Sequence, residues 1–281
     1  MRKQAILIAV IIIFGLVAGP ALSGCAQSEA PVVQVVTSTS HLEYLVKVVG
    51  GDLVDVINIV PPASHPGDFD ASPGDIQKLA DADLFLWHNW PGEVYVPGLI
   101  ESADNPDLTV TAIEIQGSWM TPSVQLLAVD EVVAALSQVD SQNSAAYQEA
   151  AEEYKELVRA EETGIRARLS KANVSEVNVI CVGWQAGFVG WAGFNIVATY
   201  GLPTPLTLSD IEELVELGRE AEVTLVIDNL HDNPDAGRPI ADELGCERVI
   251  LLNFPAVDES TETWEAAVDH NIDLILEALA R

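Results

Sequence analysis

Two runs of alternating strand-like and helix-like segments most constrain what this chain can fold into. In the first run, apolar β-rich stretches at 32–37, 54–60, 83–87 and 108–113 are separated by loops and helical patterns, one of them a helix expected around 73–80. A second run of the same kind begins near residue 177, where a predicted strand at 177–182 is followed by a helix expected near 188–200. Strands separated by helices are typical of parallel sheets. The sequence therefore predicts an α/β fold with two lobes, each a parallel β-sheet flanked by helices.

The stretch between the two runs is almost wholly helical. Segments 123–137 and 143–169 lack proline, and the second contains a single glycine, Gly164. A continuous helix of about 27 residues would span roughly 40 Å, which is longer than one small lobe needs. We therefore expect this helix to join the lobes. The expected parts are an N-terminal α/β lobe at 32–140, a linking helix at 141–171 and a C-terminal α/β lobe at 172–281.

The start of the chain has the pattern of a lipoprotein signal peptide. Two basic residues precede an apolar run at 5–18, and Leu22-Ser23-Gly24-Cys25 has the form of a lipobox. The apolar run is shorter than the roughly 20 residues of a transmembrane helix. We therefore expect a signal peptide at 1–25, lipidation of Cys25 and a tether at 26–31. Acyl chains would hold the mature protein on the extracytoplasmic face of the cell membrane, periplasmic or outer.

The balance of charge excludes one class of partner. The chain carries 43 acidic and 13 Lys and Arg residues, for a formal net charge of −30. Nucleic-acid binding requires clustered Lys and Arg that neutralise phosphates. We therefore expect no nucleic-acid partner, and a role in solubility for most of the acidic surface.

Histidines and tryptophans concentrate where the predicted strands end. His41, His65 and His88 follow the first three strands, and Asp228 closes a later one. In open parallel sheets, ligands bind beyond the carboxyl ends of the strands. These residues are therefore candidates for a ligand site. Trp119 and Trp264 are expected instead to pack in the core.

Several short motifs occur in an order that resembles a known family. They are Val48-Val49-Gly50-Gly51-Asp52, Asp70-Ala71-Ser72-Pro73-Gly74-Asp75, Trp119-Met120-Thr121-Pro122 and Tyr200-Gly201-Leu202. Together they are similar to the metal-binding receptors of zinc and manganese ABC importers, over nearly the whole mature length. The resemblance implies a solute-binding lipoprotein, permease and ATPase subunits as partners, and zinc or manganese as the transported ligand.

The positions of the family's metal ligands carry other residues here. His65-Pro66-Gly67 stands where the family has Asp-Pro-His, and Gly117-Ser118-Trp119 stands where it has His-x-Trp. Counting back from Tyr200, the third ligand position falls near Gly190, and the late carboxylate falls near Asn253. The metal ligands of the family therefore do not carry over.

Two interpretations of the ligand site remain open. In the first, imidazoles and carboxylates rebuild a transition-metal site. Its candidate ligands are His41, His65, Asp68, His88, Asp228 and His231. In the second, the same fold binds a non-metal solute, organic or cationic, in a cleft with aromatic walls. Its candidate residues are Trp87, Trp90, Gly117, Trp184, Gly190, Trp191 and Asn253.

Other functional classes find less support in the sequence. The chain contains no Gly-x-Ser-x-Gly elbow and no His-Glu-x-x-His helix. A surface adhesin is a further alternative, but the sequence offers no separate adhesive module. We therefore expect a receptor and not an enzyme.

Overall fold

The computed structural model describes residues 32–201 and 206–281. The predicted signal peptide, the lipidation site Cys25 and the tether lie outside the described residues. No helix within the described ranges is both long enough and apolar enough to span a membrane.

The first half of the chain forms a four-stranded parallel sheet with the strand order β2-β1-β3-β4. Its strands are β1 (Val33–Thr37), β2 (Val54–Asn58), β3 (Leu84–Trp87) and β4 (Thr109–Ala112). Its helices are α1 (Ser40–Gly50), α2 (Pro73–Ala80) and α3 (Val96–Ala103). The register pairs Thr37 with Asn58 on one side and with Leu86 on the other, so the carboxyl ends of these strands lie at one edge.

Two helices follow, α4 (Pro122–Val139) and α5 (Ser144–Lys171). The 28 residues of α5 span about 42 Å at 1.5 Å per residue. Its buried residues recur every three, four or seven positions, as Tyr147, Tyr154, Val158, Ile165 and Leu169 do. This stripe packs α5 against α1 and α4 of the first half and against α9 (Trp264–Leu279) of the second.

The second half repeats the first, with the strand order β6-β5-β7-β8 in a second parallel sheet. Its strands are β5 (Asn178–Val182), β6 (Asn195–Tyr200), β7 (Leu225–Asn229) and β8 (Glu247–Leu251). Besides α9, its helices are α6 (Ala186–Ala192), α7 (Leu208–Glu220) and α8 (Arg238–Leu244). The predicted fold class, two parallel α/β lobes joined by one long helix, is confirmed.

The sequence-based prediction of a helix at 188–200 is wrong in its second part. Helix α6 ends at Ala192, where Gly193 takes the left-handed φ of 96° that terminates a helix. The following residues form strand β6, which pairs with β5. Its β-branched residues Ile196, Val197 and Thr199 favour a strand. The short helix α3 was not predicted.

The main hydrophobic core is continuous between the two sheets. It includes Leu84 under the first sheet, Leu225 under the second and Trp264 of α9, all fully buried. The Trp264 indole donates from Nε1 to the carbonyl oxygen of Trp119 at 3.1 Å. Trp119 is 4% exposed, so the prediction that both tryptophans pack in the core is confirmed.

Candidate functional site

The site forms where the strand order reverses in both sheets. From β1 the chain goes first to β2 on one side and then to β3 on the other, and the second sheet repeats this with β5, β6 and β7. Loops that leave the carboxyl ends on either side of such a point diverge and leave a crevice. Here the crevices of the two lobes face each other.

Three hydrogen bonds join the loops of the two lobes around the crevice. Ser40 Oγ donates to the carbonyl oxygen of Pro255 at 2.8 Å. His41 Nε2 lies 2.7 Å from the carbonyl oxygen of Asn253. His231 Nε2 lies 2.8 Å from the carbonyl oxygen of Pro62. The lobes therefore meet through specific polar contacts and not through apolar packing alone.

A cavity of about 640 Å³ lies between these loops. Its volume is within the range of small-molecule sites, roughly 300–1,000 Å³. Aromatic and small residues dominate its lining. The lining consists of His41, His65, Pro66, Gly67, His88, Asn89, Trp90, Pro91, Gly92, Glu114, Ile115, Gln116, Gly117, Ser118, Trp119, Trp184, Asn253 and Phe254.

Stacked rings build one wall of the cavity. The ring of Trp90 stacks on that of His88, with centroids 3.7 Å apart and an angle of 4° between the planes. Trp119 meets His88 edge to face at 4.3 Å. Phe254 closes the wall from the C-terminal lobe, 5.2 Å from the ring of His41. Mutual contact of this kind fixes the rings in place before any ligand arrives.

A buried carboxylate holds the loop that carries Trp90. Glu93 is 1% exposed, and its Oε2 accepts hydrogen bonds from the backbone amides of His88 at 3.1 Å and Trp90 at 2.9 Å. Burial raises the pKa of Glu93, and the nearby Ser38 hydroxyl and the backbone amides oppose that rise. Within this loop Asn89 takes a left-handed φ of 57°. The carboxylate thus fixes a turn that directs Trp90 onto His88.

His41 and His88 are buried as neutral imidazoles. His41 is 2% exposed, and burial lowers its pKa to about 3, against the raising effect of the Asn253 carbonyl and with a smaller lowering effect of His231. His88 is 1% exposed, and burial lowers its pKa well below the usual value. Its Nε2 lies 2.7 Å from Thr39 Oγ1. In both rings Nδ1 is buried without a hydrogen-bond partner among the described residues.

The ring of His65 lies over Gly67, the position that the sequence pattern assigns to a metal ligand. Its Nδ1 accepts a hydrogen bond from the amide of Gly67 at 3.0 Å. A Cβ atom on Gly67 would lie 3.0 Å from two atoms of the His65 ring and 3.7 Å from Gly92 Cα. The ring of His65 would therefore have to move before residue 67 could carry a side chain.

The second ligand position is closed by its backbone. Gly117 has a φ of 116°, and a Cβ there would lie 3.1 Å from Val124 Cγ2. An L-residue at this position would be strained. At the late position, Asn253 Oδ1 accepts a hydrogen bond from Gln185 Nε2 at 2.7 Å. The three positions line the cavity, but none offers an imidazole or carboxylate.

The six candidate metal ligands divide into two groups. His41, His65 and His88 come together on the cavity. Asp68, Asp228 and His231 do not line it. No group of three or more His, Cys, Asp or Glu side chains in 32–201 and 206–281 is arranged to hold a metal ion.

The three candidate ligands that do not line the cavity have other surroundings. Asp228 is fully buried, and its carboxylate pairs with Arg248 Nη1 at 2.6 Å and accepts from the Gly237 amide at 2.8 Å. Nε2 of His231 lies 2.8 Å from the carbonyl oxygen of Pro62, and its Nδ1 accepts a hydrogen bond from the Asn253 amide at 3.4 Å. Burial, countered by the Pro62 carbonyl, lowers the pKa of His231 to about 4. Asp68 is exposed on a 3₁₀ turn.

The candidate cleft residues divide in the same way. Trp90, Gly117, Trp184 and Asn253 line the cavity, and Trp184 is 45% exposed. Trp87, Gly190 and Trp191 do not. Trp87 packs against a small separate core of the N-terminal lobe that includes Phe85. Trp191 lies under the guanidinium of Arg166, 4.7 Å from its Cζ. Gly190 lies beside Ile196.

In the part of the lining that follows β4 and β8, sequence reasoning named Gly117 and Asn253 as candidates and missed their neighbours. Glu114, Gln116 and Ser118 come directly after β4, and Phe254 comes after β8. The same strand-end rule would have found them, had it been applied to residue types other than His and Trp. Trp119 was predicted to be a core residue, and it also lines the cavity.

Comparison with known proteins identifies the family. The model of the ZnuA family, described as zinc-uptake complex component A, periplasmic, matches residues 35–278. The manganese-binding lipoprotein MntA of Bacillus subtilis is 25% identical over 92% of this chain and 95% of that protein. The iron-binding protein YfeA of Yersinia pestis is 29% identical, over 49% of each chain.

A solved structure has the same fold. The periplasmic zinc binding protein TroA of Treponema pallidum superimposes with a TM-score of 0.76 and 18% identity, over 89% of this chain and 100% of that chain. The family match extends over most of the chain, from β1 to the last turn of α9. The chain therefore belongs to the ZnuA family.

Proposed function

We propose that this chain is the extracytoplasmic receptor of an ABC importer and that it captures its cargo in the cavity between the two lobes. The observation that carries the proposal is the place of the cavity. It lies at the point of strand-order reversal of both sheets at once, and residues of both lobes line it. Cargo that contacts both lobes stabilises their closed arrangement, which is the state a permease must distinguish from the empty receptor.

Metal ions are the cargo class that the relatives indicate. Those relatives are named for iron, manganese and zinc, and the names of the manganese relatives include lipoprotein. We propose that this receptor serves metal uptake and that its partners are a permease and an ATPase subunit. Fixed rings and buried neutral histidines support a binding role for the cavity, and we propose no catalytic reaction in it.

We further propose that the lobes at 32–140 and 172–281 close around the linking helix with small amplitude. Helix α5 packs on helices of both lobes, and the hydrophobic core is continuous between the sheets. A continuous core resists a large hinge motion. The geometry supports a smaller motion. In it, His41 and His231 would break and re-form their hydrogen bonds with the opposite lobe.

The proposed anchor is the lipidated thiol of Cys25. In cells grown with a labelled fatty acid, Cys25→Ala should abolish incorporation of the label into the protein and release the protein from the membrane fraction. It should leave the cavity and its affinity for cargo unchanged, because the described lobes begin at residue 32.

Deletion of the gene in the native host tests the receptor role. Cells without the receptor should take up less radioactive manganese, zinc or iron under limitation for that metal. The wild-type chain should restore uptake, and a variant with the paired changes Trp90→Ala and Trp119→Ala should not. Gly164→Ala, a change on α5 with no atom within 4 Å of the added methyl, serves as the control for expression. Unchanged uptake of all three metals in the deletion strain would contradict the proposal.

A further inference from the structure

The cavity offers few donor atoms to a bare metal ion. In His41 and His88, one ring nitrogen contacts a protein oxygen and the other is buried from solvent. In His65, Nδ1 accepts a hydrogen bond from the Gly67 amide, so the neutral ring carries its proton on Nε2 and offers that nitrogen as a hydrogen-bond donor and not as a metal ligand. Among the described residues that line the cavity, Glu114 carries the single carboxylate. This carboxylate is thus the one strong metal ligand within reach.

One such ligand is too few for a bare ion. Zinc in proteins takes four ligands, at least three of them from protein in sites that keep an open position. The positions from which further ligands would come are closed, Gly67 by the ring of His65 and Gly117 by its φ of 116°. The remaining coordination has to come with the cargo.

The size of the cavity also exceeds that of an ion. Six waters around a divalent ion would take roughly 180 Å³, at about 30 Å³ each. The cavity volume is about 640 Å³. The difference leaves room for an organic molecule of several rings.

The walls suit an organic surface better than a hydrated ion. The rings of Trp90, Trp119 and Phe254 form one side, and Trp184 extends from the other lobe toward His65, with centroids 5.9 Å apart. Aromatic faces stack on flat rings and attract cations. They offer no lone pair to replace the water ligands that a hydrated metal ion would lose.

The charge of the lining selects against anions. Glu114 is its one carboxylate, held by a hydrogen bond from Asn89 Nδ2, and no Lys or Arg occurs among the described residues that line the cavity. The whole chain carries a formal net charge of −30. A neutral or positively charged cargo is therefore favoured.

We propose that the cargo is a metal ion already held in a flat organic chelator, as a neutral or cationic complex. The aromatic walls bind the chelator, and His65 Nε2–H is a hydrogen-bond donor for a polar atom of the chelator. This inference rests on the proposed receptor function and names the form in which the metal is captured.

The test is the composition of the cargo on the full-length lipoprotein purified from its native host under metal limitation. Native mass spectrometry and elemental analysis should find one metal ion and one organic molecule per chain. A metal ion without an organic partner, or an organic molecule without a metal, would overturn the inference and leave the receptor function standing. The receptor function itself would be overturned by two results together. The purified protein would carry neither a metal ion nor an organic molecule, and metal uptake by the cells would not depend on the protein.

Two tryptophan variants test whether the protein holds the metal through the organic chelator. Trp184→Ala should weaken retention of metal and organic molecule together, by about three- to tenfold. The matched control Trp191→Ala removes a tryptophan that lies off the cavity, under Arg166, and should retain both. Zinc ion alone, titrated into the stripped wild-type protein, should show no stoichiometric binding tighter than micromolar. Tight one-to-one binding of zinc alone, or loss of the organic molecule with the metal retained, would contradict the inference.

Discussion

The imidazole of His65 lies over the backbone of Gly67, with Nδ1 3.0 Å from the amide nitrogen that donates to it. The ring fills the space that a side chain at residue 67 would enter, since a Cβ there would meet two ring atoms at 3.0 Å. The position that the family resemblance assigns to the first metal ligand is therefore covered by a histidine two residues earlier in the chain. Replacing the glycine alone does not reopen it.

This relationship predicts that Gly67→His will not create a zinc site. The new side chain competes with the ring of His65 for one space, so we expect no stoichiometric zinc binding in calorimetry and a small loss of stability, about 1–2 kcal/mol. The paired change His65→Gly with Gly67→His frees that space and serves as the matched variant. Micromolar or tighter zinc binding by Gly67→His alone would show that the position is open.

Gly117→Ala should destabilise the fold. An alanine would be forced to the φ of 116° and would meet Val124 Cγ2 at 3.1 Å, so we expect a cost of about 1–3 kcal/mol in the free energy of unfolding. Gly164→Ala, inside α5 and with open space around it, should instead stabilise by about 0.5–1 kcal/mol. Urea unfolding of both variants checks the pair, and equal effects would refute the assigned role of the backbone at Gly117.

Glu93→Gln should loosen the loop that carries Trp90. The carboxylate accepts from the amides of His88 and Trp90 through one oxygen, and a glutamine adds an amide group that must find an acceptor in a buried site. We expect a loss of about 1–3 kcal/mol of stability. Hydrogen exchange should be faster at the Trp90 amide than in wild type, and unchanged at amides of β7. Unaltered exchange at Trp90 would mean that Glu93 does not hold the loop.

Acid should unfold the protein through its buried histidines. The pKa of His41 is lowered to about 3 and that of His231 to about 4, so both stay neutral in the folded state, while the unfolded chain gains protons below about pH 6.5. Stability is therefore complete above pH 6.5 and falls as the pH drops toward 4. Each such histidine contributes up to about 1.4 kcal/mol per pH unit in that window.

The contribution of one histidine can be isolated by its replacement. His231→Gln keeps a hydrogen-bond donor for Pro62 but cannot take up a proton. Between pH 6 and 5 its free energy of unfolding should fall by about 1.4 kcal/mol less per pH unit than that of wild type. Urea midpoints at several pH values measure the two slopes. The relief of acidic repulsion and the raised pKa of Glu93 affect both proteins alike. Equal slopes of unfolding free energy against pH would therefore contradict the lowered pKa of His231.

Asp228→Asn should affect stability and not cargo. Its carboxylate pairs with Arg248 at 2.6 Å and also accepts from the Gly237 amide, so the change leaves Arg248 with Asp235, at 3.2 Å, as its remaining carboxylate partner. We expect a loss of about 1–3 kcal/mol in the free energy of unfolding. Among molecules that remain folded, the content of metal and of organic cargo should match wild type. A selective loss of metal at unchanged stability would return Asp228 to the list of metal ligands.

Much of the fold follows from local patterns in the sequence. Apolar runs such as Val179 to Val182 are long enough to predict strands, and the capping residues Ser72 and Pro73 mark the start of α2 where it was expected. The error at 195–200 has a local cause. Strand β6 has an exposed or half-buried pattern until Tyr200, so it lacks the apolar run that identifies a buried strand.

The candidate site was only partly predictable, because closeness across the lobes leaves no trace in sequence spacing. Strand-end reasoning brought His41, His65 and His88 to one region correctly. It could not tell that Asp228 would pair with Arg248, 20 residues later, or that Phe254 would close the wall. Those contacts depend on how the two sheets face each other.

The most direct test of the account is an anomalous difference map from crystals of the cargo-loaded protein, collected at the absorption edge of the bound metal. We predict a single peak inside the cavity, surrounded by flat organic density that contacts Trp90 and Trp184. A peak coordinated by three or more protein side chains, or one outside the cavity, would contradict the account.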